Sequence, residues 1–137
     1  MPKALTILSF DYGTRRVGVA VGNSISKSGQ ALKTIAAPTS DALFQAIESL
    51  LKEWQPDQLV VGKPMHPDGT PHEMTSKATR FGNQLHGRFH LPVVWVDERY
   101  TSAVLEGDPE MYDNLDAHSA VLILEQYFAE QSTKSLN

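Results

Sequence analysis

The sequence predicts an α/β fold: a five-stranded mixed sheet that opens as an antiparallel meander of three strands, continues through two helix–strand crossovers, and carries helices packed on it. Three observations lead there. Apolar segments with a period of two fill the first part of the chain, and the connectors between them are too short for helices. From about residue 40 the apolar period lengthens to that of a helix, and helix-like and strand-like stretches then alternate. The chain has 137 residues, 41% of them hydrophobic and 20% charged, which suits one domain, 1–137, with an ordinary core.

Each element has its own signal. Thr6-Ile7-Leu8-Ser9-Phe10 reads as a mostly buried strand ending at Asp11, and Tyr12-Gly13-Thr14-Arg15 supplies a turn. Val17, Val19 and Val21 alternate with Gly18, Ala20 and Gly22, a strand with one bulky and one bare face. A bare face suits the close approach of a ligand or another backbone, or equally a tightly packed hairpin. A weaker third strand lies around Leu32 to Ile35. Leu43, Ala46, Ile47, Leu50 and Trp54 then recur at helical spacing, with Ser40 or Asp41 as N-cap and Pro56 beyond the end.

Leu59-Val60-Val61 is a short buried strand running into Gly62-Lys63-Pro64, and Pro67-Asp68-Gly69 marks a turn. Thr70-Pro71-His72-Glu73 spells a helix start, with Thr70 as N-cap and Glu73 closing a capping box. The apolar face of that helix is Met74, Ala78, Phe81 and Leu85. Pro92 to Val96 is the fifth strand, ending at Asp97-Glu98-Arg99. After a polar, acidic stretch to about Asp113, the last helix carries Ala117, Ala120, Val121, Leu124 and Phe128 on one stripe. Residues 131–137 are expected to fray.

Composition narrows the function. There are no cysteines, so disulfide scaffolds, thiolate metal sites and cysteine nucleophiles are excluded. Twelve Lys and Arg stand against sixteen Asp and Glu, a net charge of −4, so bulk positive charge does not drive nucleic-acid binding. No signal-peptide or membrane-span pattern is read, and a cytoplasmic protein with no membrane partner is expected.

The chemistry lies at the strand ends. If the first strand runs parallel beside the fourth, the carboxyl ends of strands one, four and five share the edge where α/β sheets place ligands. Asp11, Lys63 and Asp97-Glu98 sit at those ends, and Asp116 lies in the first turn of the last helix. Carboxylates without cysteine or paired histidine suit a hard cation, Mg²⁺ or Mn²⁺, as one or two ions. Strand parity points Asp97 and Glu98 to opposite faces, so only one can face the ions. Arg15 and Arg16, beside Asp11, are candidates for substrate phosphate, together with Thr14, Lys63 and Arg99. Plainer roles stay open: Asp11 capping the Gly13 turn, Glu98 pairing with Arg15 or Arg99, Asp116 capping its helix, and Lys63 solvated.

Asp11-Tyr-Gly-Thr-Arg-Arg-Val-Gly-Val-Ala-Val, Val60-Val-Gly-Lys-Pro with Pro67-Asp-Gly-Thr, Val96-Asp-Glu-Arg, and Asp116-Ala before an apolar helix occur in that order. This series resembles the YqgF family, Holliday-junction-resolvase-like bacterial proteins linked to pre-16S rRNA processing, from about Leu5 to Phe128. The resemblance implies an RNase H-like fold. It also implies a divalent-metal endonuclease with acids at Asp11, Glu98 and Asp116, acting on structured RNA at the 5′ end of pre-16S rRNA. Branched DNA is the alternative substrate, and a non-catalytic nucleic-acid-binding module of the same fold the alternative class. An actin-like phosphotransferase also uses an Asp-x-Gly-Thr turn, but clefts its nucleotide between two domains. A monomer or weak dimer recruited by ribosome-assembly factors is expected. Related junction resolvases place an acid at or near the end of strand four, where this chain has Gly62-Lys63-Pro64, and a second acid one turn along the last helix, where it has Ser119; within the resembled family an apolar residue is expected at Lys63.

Overall fold

The computed structural model describes residues 4–13, 15–36, 39–65, 68, 70, 73–98 and 112–135, with backbone alone at 73, 98, 112–116 and 132–135. The elements run β1 (Thr6–Tyr12), β2 (Arg16–Asn23), β3 (Ser28–Ala36), α1 (Ser40–Trp54), β4 (Gln58–Pro64), α2 (Glu73–Phe89), β5 (Val93–Glu98) and α3 (Tyr112–Ser135). The sheet order is β3-β2-β1-β4-β5. The first three strands pair antiparallel, and β4 pairs parallel with both β1 and β5. Meander, crossovers and shared carboxyl edge are as the sequence predicts.

Alternation along β1 divides the core in two. Leu8 and Phe10 face α1 and α2, packing with Val17, Val19, Phe44, Ile47, Phe81 and Leu85. Ile7 faces α3, packing with Val60, Val96, Ile123, Leu124 and Phe128. Phe81 centres the first layer: its ring meets Phe10 edge-on at 5.8 Å, stacks on Tyr12 at 4.6 Å and lies 6.1 Å from Phe44.

The bare face of β2 is where α3 crosses the sheet. A Cβ on Gly22 would lie 2.6 Å from Leu124 Cδ2 and 2.8 Å from the Ser28 carbonyl oxygen, and one on Gly29 would lie 3.2 Å from Leu124 Cδ2. The approach of another element, one of the readings left open above, explains these glycines. On the other side of the sheet, Gly82 lets α2 seat the Trp95 indole, whose Nε1 donates to the Ala78 carbonyl at 3.4 Å.

Element boundaries depart from expectation where local hydrogen bonding outranks hydrophobic pattern. The N-cap of α1 is Thr39, not Ser40 or Asp41: its backbone is extended and its hydroxyl accepts from the Ala42 amide at 3.1 Å. Ser40 is already helical, and Asp41 adds negative charge to the first turn. Trp54 is 37% exposed and not part of the buried stripe. The described part of α2 begins at Glu73, and Thr70 turns its amide and hydroxyl to Asp68 Oδ1, at 3.0 and 2.7 Å. Pro67, Gly69, Pro71 and His72 lie outside the described residues. β3 is longer than its weak pattern suggests, because an edge strand alternates poorly between buried and exposed positions.

α3 departs most. It starts at Tyr112, so Asp116 stands in its second turn, and it stays helical to Ser135 instead of fraying from 131. Ile123 and Tyr127 are buried along with Ala117, Ala120, Leu124 and Phe128, while Val121 is only partly buried. A helix lying across a sheet buries a face wider than one narrow stripe. Among the described residues no helix is long and apolar enough to cross a membrane.

This packing carries a test. Gly22→Ala should destabilise the fold by about 1–3 kcal/mol, because Leu124 and a backbone carbonyl must both give way. Gly87→Ala, in a helix with nothing within 4 Å of the new methyl, should be neutral or stabilise by up to ~1 kcal/mol. Denaturant unfolding of the pair measures the contrast, and equal midpoints would contradict the described seating of α3.

Candidate active site

A serine in an apolar strand sets the geometry. Ser9 is fully buried and donates its hydroxyl to the Ala120 carbonyl of α3 at 2.6 Å. Ser9 therefore faces α3, as does Ile7 on one side of it, and Asp11 on the other follows by parity. The direction of α3 follows from its contacts: Gly22, which pairs with Ile7, meets Leu124 and Phe128, whereas Ser9 meets Ala120. The helix thus runs antiparallel to β1. Two residues up the strand from Ser9 is a rise of about 6.6 Å, and four residues back along the helix from Ala120 is about 6 Å. The backbone positions of Asp11 and Asp116 are therefore level.

The fifth strand adds the third position. Val94 and Val96 pack on the α3 side, whereas Val93 and Trp95 pack on the α1/α2 side. Position 98 continues the α3 face, the face of Asp11, and Asp97 falls on the other. β4 lies between β1 and β5, and its register sets position 11 level with Val96, so position 98 stands two strand spacings across and two residues further up, about 11–12 Å away. Gln126 of α3 donates to the Asp97 carbonyl at 2.8 Å, tying the end of β5 to the same helix. The side chains of Glu98 and Asp116 lie outside the described set, as do Thr14 and Arg99. Among the described residues no group of three or more His, Asp or Glu side chains could hold a metal ion; Asp11 alone of the three candidate acids is in that set.

The neighbours of Asp11 leave it room. Gly18 stands directly opposite on β2, and the next step of the β1–β4 register sets Gly62 on the other side. The chain then turns sharply: the Gly13 amide donates to the Arg16 carbonyl at 2.9 Å, and a Cβ at Gly13 would lie 2.7 Å from that oxygen. The turn leaves Arg15 exposed and Arg16, first residue of β2, partly buried. Lys63 lies apart from this group. Its parity sends it to the α2 side, where its ammonium sits 5.7 Å from the centre of the Trp95 ring. On α3, Ser119 is buried and His118 exposed, so they occupy different faces. The sequence reading missed Ser9 and Gln126; a lone hydroxyl in the Ile7–Phe10 run was the available signal for the first.

The chain matches known proteins over most of its length. The family described as RuvX: Holliday junction resolvase matches over residues 5–130. The chain belongs to that family. A protein named "Putative pre-16S rRNA nuclease" from Polynucleobacter necessarius subsp. necessarius is 77% identical over 129 residues, covering 94% of this chain and 88% of the relative. A protein of the same name from Burkholderia vietnamiensis is 53% identical over 135 residues, 93% of this chain and 91% of its own length. In fold, the chain is similar to T. thermophilus RuvC in complex with a Holliday junction substrate, with a TM-score of 0.57 at 11% identity over 93% of this chain and 96% of that one. It is also similar to the fowlpox virus Holliday junction resolvase, with a TM-score of 0.52 at 13% identity, covering 92% and 99%. The fold is RNase H-like, as the YqgF-family resemblance of the sequence implies.

Register separates the two acids at the end of β5. Glu98→Gln should abolish any metal-supported activity, whereas Asp97→Asn, on the opposite face, should leave it within about twofold. Rate measurements on the two purified variants check this, and the reverse order would place the reacting centre on the α2 side.

Proposed function

We propose that this RuvX-family chain is a divalent-metal-dependent endonuclease that hydrolyses phosphodiester bonds in structured RNA, at the 5′ end of pre-16S rRNA. The observation that carries the reading is the convergence of positions 11, 98 and 116 on one face at the carboxyl edge of β1, indexed by the Ser9–Ala120 hydrogen bond. The names of relatives as much as 77% identical support the RNA substrate.

The donor set fits a hard cation. Asp11, Glu98 and Asp116 would hold one or two Mg²⁺ or Mn²⁺ ions through oxygen alone, with substrate phosphate completing the coordination. Bound there, the metal would lower the pKa of a water and stabilise the leaving oxygen. The protein's share is positioning. Gly18 and Gly62 keep the flanks of Asp11 low enough for a sugar–phosphate backbone, and the Gly13 turn holds Arg15 and Arg16 beside it. Those guanidiniums, with Thr14 and Arg99, orient phosphate and offset the repulsion between nucleic acid and a chain of net charge −4. Lys63 is the weakest of the phosphate candidates, given its seat over Trp95. The setting is the cytoplasm, with a monomer or weak dimer brought to its substrate by ribosome-assembly factors.

The test is cleavage of a labelled 5′-extended 16S precursor beside a four-way DNA junction, in Mg²⁺, Mn²⁺ or Ca²⁺. Mg²⁺ or Mn²⁺ should support cutting of the RNA in preference to the junction. Asp11→Asn and Asp116→Asn should each lower the rate by roughly a thousandfold or more, about 4 kcal/mol at the barrier, with folding intact. Preferred junction cutting would move the substrate to branched DNA. Full activity in folded Asp11→Asn would refute the metal-site reading, and binding without cutting under every metal would leave a binding module.

Replacing Arg15 and Arg16 together by Ala should weaken RNA binding and lower the salt dependence by about one to two in the slope of log K against log salt. An unchanged slope would put the RNA on another surface.

A further inference from the structure

Behind Asp11, on the α1/α2 side of the sheet, the end of β1 borders a concavity. A cleft of about 300 Å³ is lined by Tyr12, Ser40, Lys77, Arg80 and Gln84. Lys77, Arg80 and Gln84 follow one another at spacings of three and four, so α2 presents them as a single stripe. Ser40 is the first residue of α1, whose terminus carries partial positive charge. Tyr12 is held in place by its stack on Phe81, at 4.6 Å. Every one of these side chains can donate a hydrogen bond, and among the described residues no carboxylate lines the cleft. Among the described residues no acid pairs with Lys77 or Arg80, whereas Lys52, elsewhere on α1, is joined to Glu48 at 3.3 Å. Lys77 and Arg80 are both exposed at this hollow, where adjacent positive charges attract an anion, and its place beside Asp11 suggests which kind.

We propose that this cleft is a phosphate subsite for the nucleic-acid strand that leads away from the cut, with Lys77 and Arg80 as its charged contacts. The proposal rests on the nuclease reading above and adds a second contact surface to it. Asp11 and Tyr12 are consecutive and point to opposite faces of the sheet. A strand whose scissile phosphate lies against Asp11 therefore has only to bend over the end of β1 for a flanking phosphate to reach Lys77 and Arg80. Contacts of this kind set register and orientation on the substrate without reading its bases. They also supply cationic partners at a distance from the acids, where they do not compete with the metal.

Binding is measured by fluorescence anisotropy in an Asp11→Asn background, which keeps the probe intact, with a labelled RNA stem-loop and a labelled four-way DNA junction. Lys77→Ala and Arg80→Ala should each weaken binding about 3–10-fold more than Lys52→Ala, which removes the same charge elsewhere. The Lys77→Ala/Arg80→Ala pair should lower the slope of log K against log salt by about one to two. With Asp11 restored, the loss should fall on KM and not on kcat. If the stem-loop or junction binds, and the two variants match Lys52→Ala in affinity and salt slope, the subsite is overturned while the nuclease reading stands. If neither probe binds the Asp11→Asn protein or the wild type, the nuclease reading itself fails.

Discussion

One buried hydrogen bond indexes the working face of this molecule. A sheet and a helix packed by apolar contact alone can slide, because hydrophobic attraction has no direction. The Ser9 hydroxyl on the Ala120 carbonyl removes that freedom, since a buried hydroxyl displaced from its acceptor costs about 1–3 kcal/mol. The Gln126 contact to the end of β5 and the Gln58 contact to the Tyr127 hydroxyl, at 3.0 Å, add polar ties along the same helix. Between them, α3 is held at one height relative to β1, β4 and β5. The candidate acids come from two strands and a helix, so this height determines whether they form a group at all.

The glycines serve the same end from the sheet side. Gly22 and Gly29 let α3 descend onto β2 and β3; a Cβ on Gly22 would force Leu124 and a backbone carbonyl aside, and one on Gly29 would press on the tip of Leu124. Gly18, further along the same bare face, stands directly opposite Asp11. One feature of sequence, bulky valines alternating with small residues, thus seats a helix at one end of a strand and leaves a carboxylate accessible at the other. Across the sheet the arrangement reverses: Phe81 and Trp95 fill the space, and the polar groups gather at the edge.

Strands and their order were legible because period-two alternation and short connectors leave few topologies open. That position 98 rather than Asp97 shares the face of Asp11 was half legible. Parity told the two apart, but which face belonged to α3 required the packing of Val94 and Val96. The same parity, applied to Lys63, would have sent it to the side away from Asp11, where Trp95 sits. Thr39 was hidden by the equally good caps that follow it, and the early start of α3 by an acidic segment with no apolar rhythm. The cleft at Lys77 and Arg80 could not be read from spacing. Its walls come from three elements, and on α2 alone the two cations look like a solvated face.

The tie between Ser9 and Ala120 spans 111 residues. The meander is local in sequence and can close early, whereas contacts of such separation carry a larger entropic cost and form late. Positions 11 and 98 therefore stand apart from position 116, the third candidate acid, until the final helix docks. On the proposed nuclease reading, a chain still being synthesised would hold the parts of the site without the assembled site, which would couple the onset of activity to completion of its own fold.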